Sequence, residues 1–311
     1  MSDKLYDVVI IGGGPAGLTA GLYSSRARLK TLLIEKMIMG GQVMTTTKVE
    51  NYPGFPGGID GPDLMIRFQE HCQEFGLETT TGDVTGLRLD GGQKVLTVDG
   101  EELRARAVII TTGAEPSKLG VPGEVEFTGR GVSYCATCDG AFFREQEIAI
   151  VGGGDTAAEE ALFLTRFAKK VYLVHRRDSL RATKLLQDRV FANDKIEMVW
   201  NSVVSEVKGD QSGMTSVDLR DTRTGEVRNL PLQGLFVAIG VTPKAHFLAG
   251  VLDLDTDGHI LTDAECRTSM PGVFAAGDVR KKLLKQIATA VGDGAVAAIV
   301  AEKYIDELNN A

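Results

Sequence analysis

The chain lacks the features that mark several large functional classes. It has no excess of positive charge: 34 Lys and Arg stand against 42 Asp and Glu, a formal net charge of −8 over 311 residues. That balance makes it a poor general binder of nucleic acid or anionic membrane. Cysteine is scarce. Four residues in a chain of this length form no disulfide framework and point to a reducing, cytoplasmic compartment. A continuous apolar span is also missing. Val8 to Ser25 is uncharged, but five glycines and Pro15 interrupt it, and Asp3 and Asp7 precede it. This suits a buried strand, a glycine turn and a helix, and excludes a signal peptide or membrane span. The four histidines (His71, His175, His246, His259) have no metal-ligand spacing, and nothing reads as low complexity. Hydrophobic residues reach 43%, a globular level. At roughly 150 residues per domain the length suggests about two domains. Glycine alone is in excess, with 37 residues gathered in clusters.

Those clusters expose a repeat. Val8 to Glu35 (VVIIGGGPAGLTAGLYSSRARLKTLLIE) aligns without a gap on Ile148 to His175 (IAIVGGGDTAAEEALFLTRFAKKVYLVH). Each copy runs from a β-branched apolar stretch through Gly-Gly-Gly and a helical stretch to a second apolar run. The pattern is a βαβ unit with parallel strands. Gly12, Gly14 and Gly17 form G-x-G-x-x-G, and Gly152, Gly154 and Ala157 form G-x-G-x-x-A. The first glycine allows a tight turn, the second lets a pyrophosphate approach the backbone, and the third position lets helix and strand pack closely. The pyrophosphate then lies on a helix N-terminus.

The second strands end differently. Glu35 offers a carboxylate to ribose hydroxyls, which suits FAD or NAD. The corresponding segment of the second copy is His175-Arg176-Arg177, with Arg181 following. Arginines pair with a 2′-phosphate that a carboxylate would repel, so this site reads as one for NADPH. A shorter repeat, AVIITTGAEP at Ala107 to Pro116 and GLFVAIGVTP at Gly234 to Pro243, supplies a later strand to each copy and brings Gly113 or Gly240 near a cofactor. GVFAAGDVR, from Gly272 to Arg280, reads as a strand ending in Gly277-Asp278, with a helix from Gln286 to Leu308 behind it. The expected fold class is α/β with two Rossmann-like dinucleotide-binding domains, the second inserted into the first. The expected boundaries are 1–116, beginning near Lys4, then 117–244, then 245–311. Two connections would permit a hinge motion.

Cys135-Ala136-Thr137-Cys138 precedes the second copy and is followed by Asp139. A zinc site would need two further ligands, which Cys72, Cys266 and the histidines do not offer at suitable spacing, so no metal is expected. A redox pair is complete locally. A helix starting near Tyr134 or Cys135 would favour a thiolate, and Asp139 would move a proton during exchange. Cys72 and Cys266 read as buried small hydrophobes.

The whole chain resembles the low-molecular-weight thioredoxin reductases of bacteria and archaea. The resemblance rests on GGGPAG, GGQ at Gly40 to Gln42, VENYPGFP at Val49 to Pro56, CATCDGAFF at Cys135 to Phe143, GGGDTAAEEA at Gly152 to Ala161, HRRDSLRA at His175 to Ala182, and AAGDVR at Ala275 to Arg280. It implies non-covalent FAD on Gly12, Gly14, Gly17, Glu35, Gly41, Gln42, Asn51, Gly113, Asp278 and Gln286. It implies NADPH on Gly152, Gly154, Ala157, His175, Arg176, Arg177 and Arg181. Cys138 would face the flavin, Cys135 would attack oxidised thioredoxin, and Asp139 would be the acid–base group. A homodimer and rotation of the NADPH domain between half-reactions are implied too. Lys285-Gln286 departs from the Arg-Gln of many relatives, keeping the charge and losing the fork. The alternatives are a flavin-dependent dithiol oxidase, a reductase of another disulfide carrier and a non-catalytic nucleotide-sensing module. No additional thioredoxin-like domain is expected at the N-terminus.

Overall fold

The computed structural model describes residues 5–46 and 48–310, so the expected start near Lys4 lies outside the described residues. Contacts divide the chain into two units, residues 1–115 with 242–311 and residues 116–241.

The first unit opens with β1 (Leu5–Ile11), α1 (Pro15–Arg26) and β2 (Thr31–Glu35). Apolar residues alternate along β1. Val8 and Ile10 join the core on one face of the sheet, and Val9 and Ile11 join the core on the other. Pro15 starts α1, where its missing N–H costs no helical hydrogen bond. Next come α2 (Gly61–Glu74), β3 (Glu78–Thr81), β4 (Val84–Asp90), β5 (Gln93–Val98), the long β6 (Glu101–Ile110) and β7 (Ala114–Pro116).

The second unit follows with β8 (Val132–Ser133), α3 (Ala136–Asp139), β9 (Glu147–Gly152), α4 (Asp155–Leu164), β10 (Lys170–Val174), α5 (Lys184–Phe191) and β11 (Ile196–Val199). It continues through β12 (Ser202–Asp210), β13 (Gly213–Asp221), β14 (Val227–Pro231) and β15 (Gly234–Ala238). β16 (Val241–Pro243) pairs with β7 in a two-stranded ladder, and the chain returns to the first unit for β17 (Val273–Ala275) and α6 (Ile287–Asn310).

The first sheet has the order β3-β2-β1-β6-β5-β4, with β17 also pairing with β6. β1, β2, β3, β6 and β17 are parallel, whereas β4 and β5 form an antiparallel hairpin. β5 takes the first half of one edge of β6 and β17 takes the second half. The C-terminal ends of β1, β2, β6 and β17 therefore lie at one end of the sheet, where open α/β sheets bind ligands. The second unit repeats the plan with β11-β10-β9-β15-β8, all parallel. α4 covers one of its faces through Ala157, Ala158, Ala161 and Leu164. The antiparallel β12-β13-β14 sheet contributes Val204, Val207, Val217 and Leu219 to the core on the other face.

Three details differ from the sequence expectation. The strand expected to end at Gly277-Asp278 stops at Ala275, and Gly277–Val279 forms a 3-10 turn. Ala107 to Pro116 is divided between β6 and β7 rather than continuous. The helix expected at the cysteine pair is one turn, Ala136–Asp139, followed by a second 3-10 turn. No helix among the described residues is long and apolar enough to cross a membrane.

One polar contact ties the hairpin to the last helix. Lys94 on β5 is fully buried, and its Nζ donates to the Tyr304 hydroxyl on α6 at 2.7 Å. Gly92 O is a distant second acceptor at 3.5 Å. Tyr304→Phe should lower stability by about 1–3 kcal/mol, because a buried donor loses its good acceptor. Lys94→Met should cost less, since it removes the donor as well. Denaturation midpoints of the two variants check the order.

Candidate active site

The first glycine turn is shaped by steric closeness. Gly12 has φ +108°, and a Cβ there would stand 2.5 Å from Thr111 O. A Cβ on Gly17 would collide with the Gly12 carbonyl oxygen and lie 2.8 Å from Thr111 Oγ1. Only glycine lets α1 approach β1 and β6 this closely. Gly14 differs, because a Cβ there would meet nothing within 4 Å. The N-terminus of α1 thus has open room beside its free N–H groups.

Several of the predicted first-unit residues contact this turn or one another. Glu35 Oε2 accepts from Gly13 N at 2.7 Å, and Oε1 accepts from Met37 N at 3.1 Å. Gly40 N donates to Gly13 O at 2.8 Å, and Gly41 lies against Gly14. Gln42 Nε2 donates to Ala114 O, one residue beyond Gly113. Asn51 Nδ2 donates to Gln286 Oε1 at 2.9 Å, joining segments 235 residues apart. Asp278 Oδ1 is buried and has no hydrogen-bond partner among the described residues. Burial raises the Asp278 carboxyl above its ordinary range, while Lys282 and Lys285 pull it down. Burial in turn lowers the Lys285 amine, and Asp278 opposes that shift. An orphaned buried carboxylate oxygen calls for a donor such as a ligand hydroxyl. With the room at Gly14, this donor and acceptor set fits a dinucleotide.

The second turn uses the same device. A Cβ on Gly152 would collide with Ala157 Cβ and lie 2.5 Å from Ala238 O, whereas Gly154 again faces open space. The segment after β10 wraps this turn. Arg181 N and Ala182 N donate to Gly153 O at 2.7 and 3.1 Å, and Thr183 N donates to Asp155 Oδ1 at 2.6 Å. Arg176, Arg177 and Arg181 are exposed, and their guanidinium groups have no carboxylate partner among the described residues. Three unpaired guanidiniums beside an open glycine turn fit a phosphorylated dinucleotide. His175 sits apart from them. It is buried, and its Nδ1 lies 2.8 Å from Gly152 O. Burial, then Arg181, Arg176 and Arg177, push its pKa below the ordinary value. The ring, with its charged form disfavoured, supports the turn from beneath, where a Cβ on Gly153 would strike it.

Cys135 and Cys138 form a disulfide. Cys135 caps the single turn of α3: Cys138 N lies 3.2 Å from both Cys135 Sγ and Cys135 O, and Asp139 N donates to Cys135 O at 3.1 Å. Asp139 Oδ2 accepts from Ser133 Oγ at 2.6 Å. Burial raises the Asp139 carboxyl and the Ser133 bond lowers it. Cys72 and Cys266 are buried, and burial pushes each thiol up to about 11, so neither is a ready thiolate. Two features escaped the sequence reading. Ser133 was given no role, and its one signal is a hydroxyl two residues before the pair. Asp255, Asp257 and His259 also gather, their ligand-type atoms within 4.8 Å of one another. The Lys281 Nζ, 2.9 Å from Asp255 Oδ2, already supplies a cation there.

Comparisons with known proteins agree with this geometry. The family model described as pyridine nucleotide-disulphide oxidoreductase matches residues 6–294. A thioredoxin reductase of Listeria innocua is 51% identical over 312 residues, spanning 99% of this chain and 97% of that protein. One from Bacillus subtilis is 49% identical, covering 98% of this chain and 96% of its own. The crystal structure of thioredoxin reductase from Streptococcus pyogenes superposes with a TM-score of 0.94 at 47% identity, covering 98% of this chain and 100% of that one.

A buried carboxyl with a raised pKa destabilises the fold once it ionises, so stability contributed here falls as pH rises from the ordinary carboxylate range through the raised value. Asp139→Asn should therefore raise Tm at pH 7. The gain should vanish below about pH 4, the ordinary Asp range. Tm measured against pH checks both.

Proposed function

The chain belongs to the pyridine nucleotide-disulphide oxidoreductase family, and from that premise we propose that it is a thioredoxin-disulfide reductase using NADPH and FAD. The carrying observation is the Cys135–Cys138 disulfide with a half-buried Asp139 beside it, in a chain that also holds two glycine turns with room for dinucleotides. Gly12, Gly14, Gly17, Glu35, Gly41, Gln42, Asn51, Gly113, Asp278 and Gln286 would hold FAD. Gly152, Gly154, Ala157, Arg176, Arg177 and Arg181 would hold NADPH, with His175 bracing the turn. When bound, these cofactors supply the two electrons that open the disulfide to two thiols.

The chain's own chemistry is thiol–disulfide exchange. The Cys135 thiolate attacks one sulfur of oxidised thioredoxin. A mixed disulfide forms, the partner's S–S bond breaks, and its leaving sulfur takes a proton from Asp139. The Cys138 thiolate then attacks Cys135 Sγ, restores the internal disulfide and releases the second partner thiolate. One dithiol is oxidised as one disulfide is reduced. The units at 1–115 with 242–311 and at 116–241 match the roles of FAD domain and inserted NADPH domain, and the two connections leave the inserted unit free to rotate between half-reactions. A homodimer in the cytoplasm completes the reading. It is supported by the family resemblance.

The test is reduction of thioredoxin disulfide by the FAD-loaded protein, with NADPH and NADH compared. Strong preference for NADPH is expected. Arg177→Ala or Arg181→Ala should each cost about 10-fold or more in kcat/KM for NADPH and leave NADH nearly unchanged, as expected for loss of a charged hydrogen bond. Cys138→Ser should abolish turnover with FAD retained. Flavin bleached by dithionite but turnover with neither nucleotide would sink the proposal.

A further inference from the structure

We propose that Ser133 is the positioning residue for Asp139, a single hydroxyl that holds this carboxyl in one place through both of its protonation states. The inference deepens the thioredoxin reductase reading and rests on it for its catalytic meaning. Ser133 ends β8, in register with Phe236 of β15, and is buried. Its oxygen is therefore fixed by a sheet, whereas Asp139 ends a helix of a single turn. Ser133 Oγ donates to Asp139 Oδ2 at 2.6 Å, a length typical of a hydroxyl bonded to a carboxylate. The same oxygen accepts from Cys135 N at 3.1 Å. A continuous line thus runs from the backbone of one redox cysteine through the hydroxyl to the acid.

Exchange requires Asp139 to hold a proton at one stage and lack it at another. A hydroxyl serves both states because its hydrogen rotates. With Asp139 ionised, Ser133 donates to it. With Asp139 protonated, the acid donates to Ser133 Oγ, and the serine hydrogen turns to Cys135 O, 3.4 Å away. The acid keeps a partner in each state, and no proton is gained or lost in the turn.

Among the described residues, the titratable and charged groups on the elements around Asp139 are these. Its own segment carries Cys135 and Cys138. The neighbouring Tyr134 hydroxyl is committed to Glu124 Oε1 at 2.9 Å. α4, packed against α3, carries Asp155, Glu159 and Glu160; burial and then Glu159 raise the Glu160 carboxyl to about 7. β15 and the turn Gly140–Phe143 carry no charged residue, and Arg144 lies just beyond. Asp139 itself is raised by burial and lowered by the Ser133 bond.

The experiment compares wild type, Ser133→Ala and Ser133→Thr as FAD-loaded protein. Asp139 is titrated through its carboxyl carbon by NMR in the oxidised state. Thioredoxin reduction by NADPH is followed against pH. Ser133→Ala should move the Asp139 titration, and the pH–rate limb it governs, upward by about one pH unit and slow exchange about 10-fold. Ser133→Thr should restore both. In an Asp139→Asn background, Ser133→Ala should cost less than about twofold, since the two then no longer act as a unit. An unmoved titration, or an equal cost in both backgrounds, would overturn the proposal. Failure of wild type to reduce thioredoxin would instead overturn the function, and the titration would still decide whether Ser133 controls Asp139.

Discussion

Backbone closeness at two strand-to-helix turns is the constraint on which the rest depends. At Gly17 and at Gly152, a single added carbon would collide with the turn. Because it is absent, each helix N-terminus sits directly over the end of its first strand. The helix ends, the sheet ends and the second-strand residues Glu35 and His175 can then converge. The same closeness recurs deeper in the first unit, where a Cβ on Gly294 of α6 would strike the Ala16 carbonyl of α1. Small residues are thus used wherever two backbones must nearly touch, and bulky ones fill the sheet faces between.

The two turns share geometry and differ in charge. In the first, a carboxylate accepts from the glycine backbone, and the same unit holds a second carboxylate, Asp278, with one oxygen buried. In the second, a buried imidazole lies beneath the backbone, and guanidiniums with no carboxylate partner among the described residues lie outside. One supersecondary unit used twice therefore offers two chemically distinct surfaces, and the distinction is carried by a few side chains past each second strand.

Much of this was legible from residues alone because it is local. G-x-G-x-x-G, the 23-residue step to Glu35 or His175, and C-x-x-C-D are short patterns whose geometry follows from backbone sterics. What stayed hidden depends on partners far away in sequence. His175 reads as one more basic group beside two arginines, but it is buried against the Gly152 carbonyl, where burial disfavours its charge. Asn51 and Gln286 meet across most of the chain. Lys94, a polar residue in a strand, gave no sign that Tyr304 would bury it. Ser133 carries no motif of its own, and its meaning comes from Asp139 folding back one helical turn later. The end of β17 was misplaced because Gly277-Asp278 continues an apolar run that only tertiary packing bends into a 3-10 turn.

The pairing of β17 with β6 also sets an order of assembly on the ribosome. Residues 116–241 are contiguous and carry every strand of their own sheets, so this unit can close as soon as it emerges. The surrounding unit cannot. The C-terminal half of one edge of β6 stays unpaired, and α1 lacks α6, until Val273–Ala275 and Ile287–Asn310 have been made. At about 5–20 residues per second the intervening insert takes roughly 6–25 s to synthesise. Throughout that interval the second half of this β6 edge stays exposed to any chaperone or neighbouring chain, and once residue 241 has emerged the nascent chain carries a finished domain within an unfinished one.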